Sequence, residues 1–207
     1  MSKGKKKVKK SIQNETKEMF DLLIQEISRI REKTIEEPEN HCWRRVYIRS
    51  VFSMIDSICF RLKAEILDAR KGLLEKNKFS PGEISMLKEQ AYEVNNKGKV
   101  TKRKIYLKSE KNFKFAFCTA AKLTKGFNLD VSGVGWKSFT DAVKIRNRVT
   151  HPKSISDFSI LKKDLSTVNR TFKWVLATYN EYIKGRVKYL DWMTEGLEED
   201  KKRVNEI

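Results

Sequence analysis

The sequence predicts an all-α protein, a helical bundle of about five helices with an inserted basic β-hairpin. Hydrophobic residues make up 39% of the 207 residues and charged residues 35%, which supplies one core and excludes an intrinsically disordered chain. Apolar side chains recur at spacings of three and four along most of the chain, as in amphipathic helices. A single turn signal between β-forming runs predicts the hairpin.

The first two helices are predicted from apolar stripes. One helix covers residues 13–36 and closes before Pro38. A longer helix begins at Trp43, and Gly72 and Asn77 mark its end. Its stripe contains Trp43, Tyr47, Val51, Met54, Ile58, Leu62 and Ile66. Its far face is predicted to carry Arg44, Arg45, Arg49 and Arg61.

A capping box opens the middle of the chain. Ser80-Pro81-Gly82-Glu83 predicts a short helix through about Gln90. The turn Asn95-Asn96-Lys97-Gly98 then predicts a hairpin over about 91–107, with an irregular exposed loop as the alternative. Ser109 is predicted to cap the following helix, and Gly126 to end it.

Two more helices complete the prediction. One runs from Trp136 to about Val149, and the last begins near Asp157, with Gly185 as a candidate break before a piece ending near Trp192. The apolar stripe of the last helix suits an internal core or a dimer seam equally well. The predicted organisation is a basic flexible tail at 1–12, one helical domain at 13–195 and a C-terminal tail at 196–207.

Positive charge is concentrated in two segments. The net charge is +18 and the pI about 9.8; residues 1–12 contribute +6 and residues 97–125 contribute +9. A nearly neutral body with two basic segments is typical of a polyanion binder, and RNA, DNA and anionic membrane all fit. The first segment also suits a solubilising tail. No apolar run is long enough to span a membrane, so we expect a soluble, cytoplasmic protein.

The cysteines and the first histidine are assigned structural roles. Cys42, Cys59 and Cys118 form no Cys-x-x-Cys pair, so neither a disulfide framework nor a zinc site is supported. Each is predicted to be a reduced, buried small hydrophobe. His41 is predicted to flank the start of the second helix.

The second histidine lies in the one short motif that suggests chemistry. In Arg146-Asn147-Arg148-Val149-Thr150-His151-Pro152, the proline disfavours helix at the residue before it. The helix is therefore predicted to end at Thr150, with His151 outside it and Asn147 as an orienting partner. Imidazole titrates near neutral pH in general and suits acid or base catalysis, and a guanidinium matches a phosphate.

An arginine and a histidine can cleave RNA without a metal. The base removes the 2′-hydroxyl proton, the oxygen attacks the adjacent phosphorus, and the arginine stabilises the phosphoryl oxygens. DNA lacks that hydroxyl. Metal-ligand clusters, nucleophile elbows and Walker sequences are missing from the sequence, so no metal and no cofactor is predicted.

The motif Arg146-Asn147-x-x-x-His151 resembles the Arg-x(4–6)-His motif of the HEPN superfamily, and the stretch Trp43-Arg44-Arg45-Val46-Tyr47-Ile48-Arg49-Ser50-Val51-Phe52 is similar to prokaryotic members. The resemblance implies a helical bundle that dimerises so that two motifs form one composite site. It further implies a metal-independent endoribonuclease of a toxin–antitoxin or phage-defence system, with an antitoxin or regulatory protein as a possible partner. Arg146 and His151 would be the catalytic pair and Asn147 the supporting residue.

Contacts to the RNA backbone are predicted for basic residues of the hairpin region and of the motif's surroundings, namely Lys99, Lys102, Arg103, Lys104, Lys108, Arg148 and Lys153. Two alternatives stay open. One is a non-catalytic HEPN-like module that binds nucleic acid or a partner protein. The other is a membrane-surface patch. The 97–125 segment lacks the wide apolar face of an interfacial helix, which is evidence against this alternative.

Overall fold

The computed structural model describes residues 2–71 and 77–205, with side chains described over 18–71 and 77–196. It confirms the all-α fold with an inserted hairpin. Within the described residues the elements are α1 (Ser2–Glu36), α2 (His41–Ala69), α3 (Pro81–Leu87), β1 (Gln90–Val94), β2 (Val100–Lys104), α4 (Ser109–Ala121), α5 (Val134–Thr150), a 3₁₀ helix (Ile155–Phe158) and α6 (Lys162–Asn205). None of the helices searched, which are those of the described residues, has a stretch long and apolar enough to cross a membrane.

Several helix ends differ from the prediction. α1 begins at Ser2, inside the predicted basic tail, and α6 reaches Asn205, inside the predicted C-terminal tail. α6 also continues through Gly185, because that glycine is buried and a Cβ there would lie 3.0 Å from the Cβ of Phe127. α2 ends at Ala69, and Gly72 lies outside the described residues.

The predicted capping box and hairpin both form, but α3 ends at Leu87 and not near Gln90, and β2 ends at Lys104. Ser80 Oγ accepts from the Glu83 N–H at 3.2 Å, and Glu83 Oε2 accepts from the Ser80 N–H at 2.9 Å, which completes the capping box. β1 and β2 are antiparallel, from Gln90 opposite Lys104 to Val94 opposite Val100.

The tight turn of the hairpin requires its glycine. Gly98 has a φ of +70°, a backbone conformation that other residues adopt at a cost. Asn95 Oδ1 accepts from the N–H groups of Lys97 and Lys99, each at 3.0 Å. The predicted cap at Ser109 is wrong, since Lys108 occupies the N-cap position of α4 without a side-chain hydrogen bond.

The chain divides into two compact units, one formed by residues 1–55 and 138–172 and the other by 56–137 and 173–207. The prediction of one domain over 13–195 stays a prediction. In the first unit the buried apolar side chains include Ile27, Tyr47, Ile48, Val51, Phe52, Phe139, Val149 and Ile160. In the second they include Ile58, Leu62, Ile66, Phe113, Phe117, Leu123, Val175 and Tyr182.

The three cysteines are free thiols with different surroundings. Cys59 is buried, and burial raises the pKa of its thiol to about 12. Cys42 and Cys118 are exposed, so the prediction of three buried cysteines is wrong for these two. Both occupy helix positions outside the apolar stripes.

Candidate active site

The C-terminal end of α5 presents the predicted catalytic histidine. α5 ends at Thr150, and His151 follows it directly, as the proline at 152 requires. The His151 N–H donates to the carbonyl of Asn147 at 2.9 Å, while the side chain of His151 is exposed. The histidine is therefore held through its backbone next to the last helical turn, with its imidazole open to solvent.

Arg146 is fixed by contacts on two sides. Its Nη1 donates to Asn147 Oδ1 at 3.2 Å. Its Cζ lies 5.7 Å from the ring centroid of Phe52, a buried residue of α2, at a distance typical of a cation–π contact. Asn147, predicted to orient the histidine, thus gives its side-chain oxygen to Arg146 and its main-chain carbonyl to His151.

Arginines of α2 hold the connection between α5 and α6. Arg49 Nη2 donates to the carbonyl of Val149 at 3.1 Å, and Arg45 Nη1 donates to the carbonyl of Phe158 at 2.9 Å. Carbonyls at both ends of the segment that contains His151 are therefore bound by α2.

A third α2 arginine corrects the sequence prediction. Arg44 is only 4% exposed, and its guanidinium donates to the carbonyls of Ile160 and Pro38. The far face of α2 was predicted to carry this residue, and that is wrong. A buried guanidinium needs acceptors for its hydrogens, and the connection after α5 supplies one of them.

His41 supports the same connection and is the first residue of α2, which begins two positions before the predicted start at Trp43. Its Nδ1 accepts from the N–H of Ile160 at 3.0 Å, which requires Nδ1 to be unprotonated. His41 therefore has a structural function as an acceptor.

Asp164 closes the connection at the start of α6. It is 7% exposed, and its Oδ2 accepts from Arg148 Nη2 at 2.7 Å and from the N–H of Leu161 at 3.0 Å. The charge of the partly exposed Arg148 is thereby paired with a buried carboxylate. Of the basic residues predicted near the motif, Arg148 is tied to this structural contact.

Lys153, the other predicted RNA contact near the motif, has an exposed side chain. Its backbone N–H donates to Asp157 Oδ2 at 2.8 Å, and that of Ser154 donates to the same oxygen at 3.0 Å. These amide hydrogens hold the pKa of the Asp157 carboxyl below its usual range. The lysine therefore follows His151 on a segment with a defined backbone.

The remaining predicted RNA-binding residues belong to the second unit. All of them are exposed: Lys99, Lys102, Arg103, Lys104 and Lys108. Arg103 Nε lies 3.4 Å from Glu93 Oε2, an exposed ion pair of small energetic value.

The α2 arginines and Asp164 were missed as parts of the site. The signal that could have found the arginines is their density in Trp43-Arg44-Arg45-Val46-Tyr47-Ile48-Arg49. Arg44 is next to Trp43 of the apolar stripe in this stretch. Among the described residues no group of three histidine, cysteine or acidic side chains could hold a metal ion. No protein-family model matches the chain, and neither does any curated protein or solved structure.

Proposed function

We propose that the protein is a metal-independent endoribonuclease of the HEPN type. The observation that carries the proposal is the end of α5, where an exposed His151 follows a half-buried Arg146 whose guanidinium is fixed by Asn147 and Phe52. An exposed imidazole at the same helix end as a guanidinium held by a hydrogen bond and a ring contact suits proton transfer next to a phosphate.

The proposed reaction uses the nucleophile of the substrate. His151 accepts the 2′-hydroxyl proton, the 2′-oxygen bonds to phosphorus, and the bond from phosphorus to the 5′-oxygen breaks. Arg146 stabilises the negative charge on the phosphoryl oxygens. The departing 5′-oxygen needs a proton, which His151 of the partner subunit would supply in a homodimer with a composite site. The products are a 2′,3′-cyclic phosphate and a 5′-hydroxyl.

The cellular role follows from the resemblance alone. We propose a cytoplasmic toxin or phage-defence nuclease, controlled by an antitoxin or regulatory protein. Exposed lysines, Lys153 beside the motif and those of the hairpin, would hold the RNA backbone. Arg148 would instead support the site through Asp164.

The test is cleavage of total cellular RNA in a chelator by the wild type, His151→Ala and Arg146→Ala. Each substitution should lower the cleavage rate by about 10²- to 10⁴-fold, with helical content unchanged by circular dichroism. The matched controls are His41→Asn, which keeps a side-chain acceptor for Ile160, and Arg170→Ala, at an exposed arginine of α6; both should cleave normally. A requirement for magnesium, or cleavage of the DNA of the same sequence, would refute the mechanism.

The contacts that Arg146 makes within the protein favour a second candidate function, a non-catalytic module that binds nucleic acid or a partner protein. In that case the contacts of Arg146 with Asn147 and Phe52 are structural. Arg146→Ala would then lower the free energy of unfolding by about 1–2 kcal/mol, and no RNA would be cut by the wild type. A folded, inactive wild type in the cleavage assay would support this candidate.

A further inference from the structure

The even-numbered residues of the β-hairpin share one face, which we call the outer face. It is formed by Gln90, Tyr92 and Val94 of β1 and by Val100, Lys102 and Lys104 of β2, and Tyr106 follows two residues after the end of β2. Tyr92 is 59% exposed, Val94 and Val100 are each 68% exposed, and Tyr106 is 78% exposed. On the opposite face Ala91 and Thr101 are half-buried, whereas Glu93 and Arg103 are exposed. Tyr92 therefore presents its ring to solvent on the outer face, and Tyr106 is exposed just beyond the end of β2.

Positive charge shares the outer face with the tyrosines. Lys102 is the direct cross-strand partner of Tyr92, so their Cβ atoms are about 5 Å apart, and Lys104 is the diagonal neighbour. The outer face contains no acidic residue, since Glu93 lies on the opposite face with Arg103. The exposed turn lysines Lys97 and Lys99 extend the charge.

We propose that the outer face binds single-stranded RNA, with bases stacked on Tyr92 and Tyr106 and the phosphates held by the lysines. An exposed aromatic ring flanked by cations matches an unpaired nucleotide, whose base presents a π-face and whose phosphate presents a charge. A duplex keeps its base faces stacked on one another and offers only its backbone. The inference deepens the proposed function by naming the substrate class, and it rests on that function for the choice of RNA over DNA.

The arrangement of charge favours a polynucleotide over a membrane surface. Segments that bind at a lipid interface keep their apolar side chains on one face and their charges on the other. Here Lys102 lies directly opposite Tyr92 and Lys104 opposite Gln90, on the same face as the paired valines. Burying that face in lipid would bury the lysines with it.

The test measures binding by the full chain with His151→Ala, so that cleavage does not interfere. A fluorescein-labelled single-stranded RNA is titrated and followed by fluorescence anisotropy. Tyr92→Leu and Tyr106→Leu should each weaken binding by roughly 5- to 150-fold, because leucine is apolar but has no π-face. The Phe variants at both positions should bind within about twofold of the parent.

Two further variants separate stacking from general effects. Phe60→Leu is the matched control, because Phe60 is an exposed aromatic residue of α2, 71% exposed, and it should bind normally. Lys102→Ala should lower the slope of log affinity against log salt by about 0.7, the value for one single-strand phosphate contact.

Three results would overturn the inference: unchanged affinity in both leucine variants, tighter binding of the same RNA when annealed to its complement, or binding to phosphatidylserine vesicles that the tyrosine substitutions abolish while RNA binding persists. Its failure is distinguishable from failure of the ribonuclease proposal. If the chain with intact His151 cleaves RNA, but the Tyr92 substitution leaves RNA affinity unchanged, only the inference is refuted. Tyrosine-dependent binding without cleavage would refute only the nuclease.

Discussion

Asp164 gives the sharpest stability prediction, because one carboxylate oxygen holds two parts of the chain. Oδ2 accepts from Arg148 Nη2 at 2.7 Å and from the N–H of Leu161 at 3.0 Å. Asp164→Ala removes both hydrogen bonds and leaves both donors without this acceptor. The hydrogen bond from Leu161 is the one that supports the first turn of α6.

The expected loss follows from the burial of the pair. A hydrogen bond to a charged group contributes about 1.5–3 kcal/mol. The side chain of Arg148 is 34% exposed and that of Asp164 only 9%, so water can partly replace the carboxylate at the arginine. We therefore expect Asp164→Ala to lower the free energy of unfolding by about 2–3 kcal/mol. Asp164→Asn, which keeps an acceptor for Leu161, should lose about half of that.

Urea denaturation followed by circular dichroism measures the loss, and hydrogen exchange at the Leu161 amide localises it. A double-mutant cycle with Arg148→Ala should give a coupling free energy of about 1–2 kcal/mol. A loss below about 0.5 kcal/mol in Asp164→Ala, together with unchanged exchange at Leu161, would show that the pair does not stabilise the connection.

Three other predictions concern packing, pH and thiol reactivity. Gly135→Ala should lower the free energy of unfolding, measured in urea, by about 1–3 kcal/mol, because the added Cβ would lie 2.0 Å from an indole carbon of Trp174. Gly196→Ala, in open space within α6, should instead raise it by up to about 1 kcal/mol. Equal effects of the two substitutions would contradict the packing. Burial raises the pKa of Tyr182 above its usual range. The unfolded chain therefore loses that proton first, and the free energy of unfolding should fall as pH rises above about 10. Urea midpoints measured across that range check this, and their pH dependence should be weaker in Tyr182→Phe. A thiol reagent should modify two cysteines rapidly and Cys59 only at the unfolding rate, and rapid modification of all three would refute its burial.

Several features that depend only on neighbouring residues were predictable from the sequence, although the local cap predicted at Ser109 was wrong. The capping box at Ser80, the turn before Gly98 and the helix end before Pro152 each follow from residues within a few positions, and the structure confirms them. The position of the Arg146 and His151 motif at a helix end was predictable for the same reason. Each signal acts through backbone conformation or a local hydrogen bond.

Features that depend on distant residues were not predictable. Arg44 binds a carbonyl 116 positions away and Arg45 one 113 positions away, and no local pattern pairs them. Gly185 has the low helix propensity that suggested a break, yet its burial inside α6 makes the missing side chain useful for packing. Sequence reasoning located the catalytic candidate but could not find the side chains that fix its surroundings.

The α2 contacts with the connection have a consequence for ligand binding. Carbonyls at 149, 158 and 160 accept from arginines, and the amides at 160 and 161 donate to His41 and Asp164. Ordering the backbone of one residue costs about 1–2 kcal/mol of conformational entropy. Both ends of the segment around His151 are already ordered in the folded protein before a ligand binds. The segment is thus preorganised. A ligand that binds at His151 therefore does not lose binding free energy to the ordering of a flexible loop.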